Sequence, residues 1–164
     1  PSHLIEGGGT VASLRLEAFV GDVVVVDACG LTTIDEDAVE SLVPTDTRRV
    51  LFRTDNSVRR LMRRQEFAPD FVALDVSGAR ALASRDGLLL VGNDYLSIQP
   101  FGGDNESHLA LMRRDIAILE GLDLADVQPG EYELLAVPLV QVEVLAGRAE
   151  TERASFRREV ERTR

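Results

Sequence analysis

Two imidazoles are available to this chain, His3 near its start and His108 beyond its middle. His108 closes the polar stretch NDYLSIQPFGGDNESH, and Glu120 follows twelve residues later, after the apolar IAIL. A His at a helix start and a Glu at a strand end can converge on one rim of a sheet. An imidazole with a carboxylate is a partial ligand set for zinc or manganese. Two ligands do not complete a site, and on spacing alone a capping His and a surface Glu account for the same residues. His3 sits in PSHLIEGGG, where a solvated loop side chain is the simplest reading.

Other chemistries find less support. Neither His has a nucleophile elbow beside it, so no Ser-His-Asp set is spelled out. EGGGT lacks the Lys-Ser/Thr of a phosphate-binding loop, and the acids of GGDNE lack calcium-loop spacing. The two Tyr and six Phe are too dispersed to suggest stacking on bases. A net charge of −10 and a pI near 4.7 argue against nucleic acid as a partner. All 18 basic residues are Arg, scattered among acids rather than gathered into a patch. No apolar stretch approaches the ~18 residues of a membrane span, so no membrane partner is expected. The single cysteine, Cys29, excludes an intrachain disulfide and fits a reducing compartment, the cytoplasm, as a buried inert thiol.

The elements that would position these residues follow from hydrophobic patterning. VVVVDA (23–28) reads as a strand buried on both faces. LTTIDEDAVESLV predicts a short helix with Thr33 as its N-cap and acids in the first turn. RVLFRT (49–54) is a second strand, NSVRRLMRRQEF a basic, mobile connection or short helix, and FVALD (71–75) an extended segment. SGARALASR predicts a helix ended by Asp86–Gly87, and LLLVG (88–92) another buried strand. HLALMRR supplies one or two helical turns, IAIL (116–119) a strand, and YELLAVPLVQVEVLA two more extended segments. The alternation predicts an α/β domain, a mixed sheet with helices, over residues 1–145. Residues 146–164, rich in charge and helix formers, predict an exposed helix or tail.

PSHLIEGGGTVASLRLEAFVGDVVVVDA, RVLFRT, LLLVGNDYLSIQPF and SHLALMRRDIAILEGLDLADVQPGEYELLAVPL together resemble the cyclase family of metal-dependent hydrolases that includes kynurenine formamidase (arylformamidase). The similarity runs from Pro1 to about Leu139, and its most specific part is His108 with AILEGLDL and PGEYELLAVPL. The family signature is His-x-Gly-Thr-His-x-Asp-x-Pro-x-His, and Pro1–His3 match its end. Its first two His and its Asp, all metal ligands, are not in this chain, so the domain reads as N-terminally incomplete. The tail VQVEVLAGRAETER also departs from the family's Asp-Gly-x-Pro-x-Arg pattern.

The resemblance implies a swivelling β/β/α-like fold and a homo-oligomer, a dimer or larger. It implies a small-molecule substrate and a divalent metal, Zn2+ foremost and Mn2+ second, held in part by His108 and Glu120. His3 is similar to the family's catalytic His and would shuttle a proton. The implied reaction is hydrolysis of an amide C–N bond, releasing formate from N-formylkynurenine in tryptophan catabolism. The alternatives are a non-catalytic scaffold or dimerisation remnant, and a related cyclase or hydrolase acting on another cyclic amide or ester.

Overall fold

In the computed structural model, residues 4–9 and 13–136 are described. The β-branched run lies inside β1 (Val20–Asp27), and four more strands join it: β2 (Arg49–Arg53), β3 (Leu90–Asn93), β4 (Ala117–Leu119) and β5 (Gly130–Leu135). Their order is β4-β3-β2-β1-β5. The pairs β1–β2, β2–β3 and β3–β4 are parallel, and β5 runs antiparallel to β1. The fold is thus mixed α/β, as the patterning predicts. The charged tail expected over 146–164 and the second half of YELLAVPLVQVEVLA lie outside the described residues.

Alternation along the strands sends side chains to two separate cores. Val26, Val50, Phe52 and Val91 face helices, packing with Ile34, Val39, Leu74, Leu82 and Leu111. Val23, Val25, Leu51 and Leu90 point to the opposite face, onto Phe19, Ala117 and Leu124. The continuous apolar run of β1 is therefore needed because both of its faces are covered.

Four helices connect the strands: α1 (Glu36–Leu42), α2 (Asp55–Val58), α3 (Val76–Ala83) and α4 (Glu106–Met112). Thr33 is not the cap of α1. Asp35 is, its Oδ1 accepting the Ala38 N–H at 2.9 Å, while the Thr33 hydroxyl donates to the Ala73 carbonyl at 3.2 Å. The carboxylate lies within reach of the free N–H groups of the first turn, and the Thr33 hydroxyl is turned to the neighbouring segment. Asp75 caps α3 in the same way, through the Gly78 N–H at 2.9 Å. Gly78 is required there, because a Cβ would stand 2.4 Å from the Ile34 carbonyl oxygen.

Two further segments gain detail from the structure. Residues 71–75, expected to be extended, join no named strand, and Leu74 forms an isolated bridge to Ile34. The Asn56 side chain takes both the N–H and the carbonyl of Val72, leaving them out of any ladder. NSVRRLMRRQEF takes the short-helix alternative, with α2 and a 3-10 turn, Leu61–Arg63. Arg59 is forked onto Asp70 at 3.0 Å to each carboxylate oxygen, and Arg63 reaches Asp123 and Asp126 at 2.6 Å each.

The parallel order has one consequence for function. β2, β3 and β4 end along one edge of the sheet, so Thr54, Asp94 and Glu120, which follow them, share that edge. Open α/β sheets place their ligand sites at this carboxyl edge.

Candidate active site

Asp94 organises the edge from within. It is buried, and its Oδ2 accepts the N–H groups of Thr54 at 2.7 Å and Ser57 at 3.1 Å. Oδ1 accepts from the Thr54 hydroxyl at 2.8 Å and from Asn56 Nδ2 at 3.1 Å. A carboxylate with four donors ties the end of β2 to the end of β3 and orients the start of α2.

The chain then loops through 94–105 before entering α4. Asn93 Nδ2 donates to the Ser97 carbonyl at 2.8 Å, and the Ile98 carbonyl accepts from the Leu74 N–H at 2.8 Å. These bonds hold residues 97–99 against the sheet edge. The Ile98 N–H points the other way and donates to Glu120 Oε1 at 2.6 Å.

His108 and Glu120, twelve residues apart, meet here. Nε2 of His108 lies 3.0 Å from Oε1 of Glu120, and the imidazole is 12% exposed. Its Nδ1 lies 2.9 Å from Oε1 of Gln99. Gln99 is itself buried and donates from Nε2 to Asn105 Oδ1 at 3.3 Å. The ring therefore faces an oxygen at each nitrogen. With its Nδ1 proton given to Gln99, the Nε2 lone pair is turned onto a carboxylate oxygen, and only a proton or a cation between them relieves that contact.

This donor chemistry suits a divalent metal. Neutral imidazole and carboxylate are both zinc and manganese ligands, and the second nitrogen of a ligating His is normally fixed by an outer oxygen acceptor, as Gln99 fixes this one. Among the described residues no group of three or more His, Cys, Asp and Glu side chains is gathered for a metal. His108 and Glu120 meet here as a pair, with Gln99 on the other ring nitrogen. His3 lies outside the described residues.

Some members of this site carried no signal in the sequence. Gln99 is one polar residue in a polar loop, and nothing in its spacing marks it as the partner of His108. The aromatics are a second case. Phe67, Phe71, Tyr95 and Phe101 are scattered in sequence, but the structure gathers them. Phe67 meets Phe71, Tyr95 and Phe101 at centroid distances of 6.2, 6.1 and 5.0 Å, and Phe71 meets Tyr95 at 4.9 Å.

Cys29 sits apart, beside Asp27 and Arg53. Burial, with the Asp27 carboxylate next to it, pushes its thiol up to about 11, which keeps it protonated at neutral pH. No helix among the described residues is long and apolar enough to cross a membrane.

Comparison with known proteins shows the family. The model of the Cyclase family, described as "Putative cyclase", matches residues 1–100. Cyclase-like protein 3 of Oryza sativa subsp. japonica is 40% identical over 139 residues, covering 84% of this chain and 52% of the relative. The chain thus spans about half the length of that plant protein. A protein named kynurenine formamidase, from Erythrobacter litoralis, is 37% identical over 149 residues, covering 90% of this chain and 66% of the relative. A solved structure titled as a potential metal-dependent hydrolase with cyclase activity superposes with a TM-score of 0.77 at 31% identity, over 88% of this chain and 69% of that one. The chain belongs to the cyclase family, whose members include proteins named kynurenine formamidase.

Proposed function

We propose that this chain is part of a metal-dependent amide hydrolase, an arylformamidase that releases formate from N-formylkynurenine. The observation that carries the reading is the 3.0 Å approach of His108 Nε2 to Glu120 Oε1, at the carboxyl edge of three parallel strands. The relative named kynurenine formamidase supports the substrate, and the structure titled as a metal-dependent hydrolase supports the metal. His108 and Glu120 would hold the ion, Zn2+ first and Mn2+ second.

When bound, such an ion supplies Lewis acidity to the scissile carbonyl and to water. The chain's own residues set the geometry for that chemistry. Gln99 holds the His108 ring by Nδ1, so that Nε2 is the nitrogen offered. The Ile98 N–H holds Glu120 by one oxygen, fixing where the carboxylate stands. His3 is proposed to pass a proton to the leaving amine, the general-acid role an imidazole can serve near neutral pH. A homo-oligomer in a reducing, cytoplasmic setting completes the proposal. The exposed strand β5, at one edge of the sheet among the described residues, supports a second copy as partner.

The test is zinc titration with formate release measured in parallel. Wild-type protein should bind zinc and release formate from N-formylkynurenine. His108→Ala and Glu120→Gln should each lose the metal and the turnover together. Retention of tight zinc binding in both variants would remove these residues from the metal site.

A second substrate class is favoured by one observation, the cyclase activity named for the solved structure. In that reading the same pair serves the opening of a cyclic amide or ester. Turnover of a cyclic imide or lactone in preference to the formamide would select it.

A further inference from the structure

At the other edge of the sheet, where β1 and β2 begin, lies an open groove of about 830 Å3. It runs along β1 and β5, with the turn 44–48 between α1 and β2 in its wall. Its lining is acidic: Glu17, Asp22, Asp46, Glu131 and Glu133 are set against Arg48 and Arg49 alone. Both arginines are already engaged. Arg48 Nη2 lies 2.6 Å from Glu17 Oε1, and the Arg49 guanidinium donates to the carbonyls of Ala18, Asp22 and Glu17. The carboxylates of Asp22, Asp46, Glu131 and Glu133 have no partner among the described residues.

The register of the sheet makes this arrangement unfavourable for the protein by itself. Across the antiparallel β1–β5 ladder, Asp22 pairs with Glu133 and Val24 with Glu131. Directly opposed residues point to the same face, so Asp22 and Glu133 present like charges to each other, with Glu131 two residues along. Thr47, in the 44–48 turn, gives an independent sign. It is 6% exposed and lines the groove, yet its hydroxyl has no hydrogen-bond partner among the described residues. An unpaired buried hydroxyl is costly, and a ligand in the groove that carries N–H donors supplies what it lacks.

We infer that this groove binds a linear oligoamine, a chain of ammonium groups joined by short methylene spacers. The carboxylates line the groove without converging, for no three acids among the described residues are gathered for a metal ion. A point charge therefore meets two of them at most, whereas an extended cation meets several. Opposed residues of an antiparallel pair have Cβ atoms about 4.5–5.5 Å apart, and residues i and i+2 of one strand stand about 6.6–6.8 Å apart. Three- and four-carbon spacers set successive ammonium groups over that range, first at Asp22 and Glu133 and then at Glu131. Asp46 and the Thr47 hydroxyl, both on the 44–48 turn, accept the N–H donors that remain. The site is separate from the His108–Glu120 pair and stands whether or not the chain is a hydrolase.

The experiment is isothermal titration of the whole chain with spermidine at low salt, with magnesium and butylamine as comparison cations. Wild type should bind one spermidine saturably, about tenfold more tightly than either comparison cation, because several charge contacts add. Asp22→Asn and Glu133→Gln, both at exposed positions, should each weaken spermidine about two- to fivefold, the scale of one solvent-exposed charge contact. Glu66→Gln removes the same charge from an exposed position near Ala68, whose N–H meets Tyr95 beyond the end of β3, and should leave the affinity unchanged. Thr47→Val keeps the side-chain shape and should weaken spermidine without lowering the melting temperature, since the hydroxyl has no protein partner to lose. Glu133→Gln should raise the melting temperature of the free protein by relieving Asp22. If Glu66→Gln weakens spermidine as much as Glu133→Gln does, the cation is held by the net charge of −10 and the groove is not its site. Magnesium binding as tightly as spermidine, unchanged affinity in both Asp22→Asn and Glu133→Gln, or no saturable binding to wild type would each overturn the inference.

Discussion

Glu120 Oε1 stands 3.0 Å from His108 Nε2 and, at the same time, accepts the Ile98 N–H at 2.6 Å. One carboxylate oxygen thus joins helix α4, the end of β4 and the loop that leads into the helix. The loop cannot shift without moving the carboxylate, and the carboxylate cannot shift without exposing the imidazole nitrogen to an unpaired contact.

Gln99 should matter as the acceptor for Nδ1 of His108. Gln99→Leu is expected to weaken zinc binding roughly 10–100-fold, the usual cost of losing an outer partner of a metal-ligating His. Gln99→Glu keeps an acceptor at the same reach and should recover most of the affinity. Competition with a chromogenic chelator measures both. Equal affinities for wild type and Gln99→Leu would show that the ring needs no support from Gln99.

Asp94 should be worth more to folding than its single side chain suggests. Asp94→Ala leaves the Thr54 and Ser57 N–H groups, the Thr54 hydroxyl and one Asn56 proton without their acceptor in a buried place. A loss of about 2–4 kcal/mol in urea unfolding is expected. Asp94→Asn, which keeps the shape but must turn a donor toward those donors, should recover only part of it.

Arg49 shows why arginine is needed at one buried position. Its Nε donates to the Ala18 carbonyl and Nη1 to the Asp22 carbonyl, each at 3.0 Å, while Nη2 donates to the Glu17 carbonyl. A planar fork reaches three carbonyls, two in the 3-10 turn Leu16–Phe19 and one in β1; an ammonium does not. Arg49→Lys should therefore destabilise by about 1–3 kcal/mol in thermal or urea unfolding despite keeping the charge. A change within experimental error would show that the charge alone suffices.

The acid side of the stability profile should show the clamp at Arg63. Hydrogen bonds from the Arg63 guanidinium hold Asp123 and Asp126 below the usual carboxylate range, and Arg59 does the same for Asp70. Because these folded-state values are depressed, the stabilisation is fully present above the unfolded carboxylate value of ~3.9 and is lost as pH falls through the folded values. All three acids are exposed, so salt should shrink the effect. Melting temperatures of wild type and Arg63→Gln should differ at neutral pH and converge in strong acid. A constant gap across that range would mean the ion pairs do not carry it.

Cys29 should be a slow nucleophile. With its thiol held up at about 11 by burial and by Asp27, alkylation by iodoacetamide at pH 8 should run far below the rate of a free cysteine. Asp27→Asn should speed it by removing the neighbouring negative charge. Rapid alkylation of wild type would contradict the environment described for the thiol.

What the sequence determined by itself was local and periodic. The run at 23–28 had to be a doubly covered strand, because four consecutive valines leave no polar face. The helix 76–83 announced itself through apolar spacing and its Asp-Gly ending. The spacing of His108 and Glu120, on either side of a short strand, marked them as a pair that could converge. The tertiary structure decided what lies between such segments. Val72 has strand chemistry, yet the Asn56 amide claims its backbone groups and removes it from the sheet. Asp35 rather than Thr33 caps α1, since the Thr33 hydroxyl finds the Ala73 carbonyl forty residues away. Phe67 and Phe101 look unrelated in sequence and become neighbours only because Tyr95 anchors both segments. Periodicity records which face of an element is buried; it carries no information on which distant group takes a particular hydrogen bond, and the candidate site is made of those bonds.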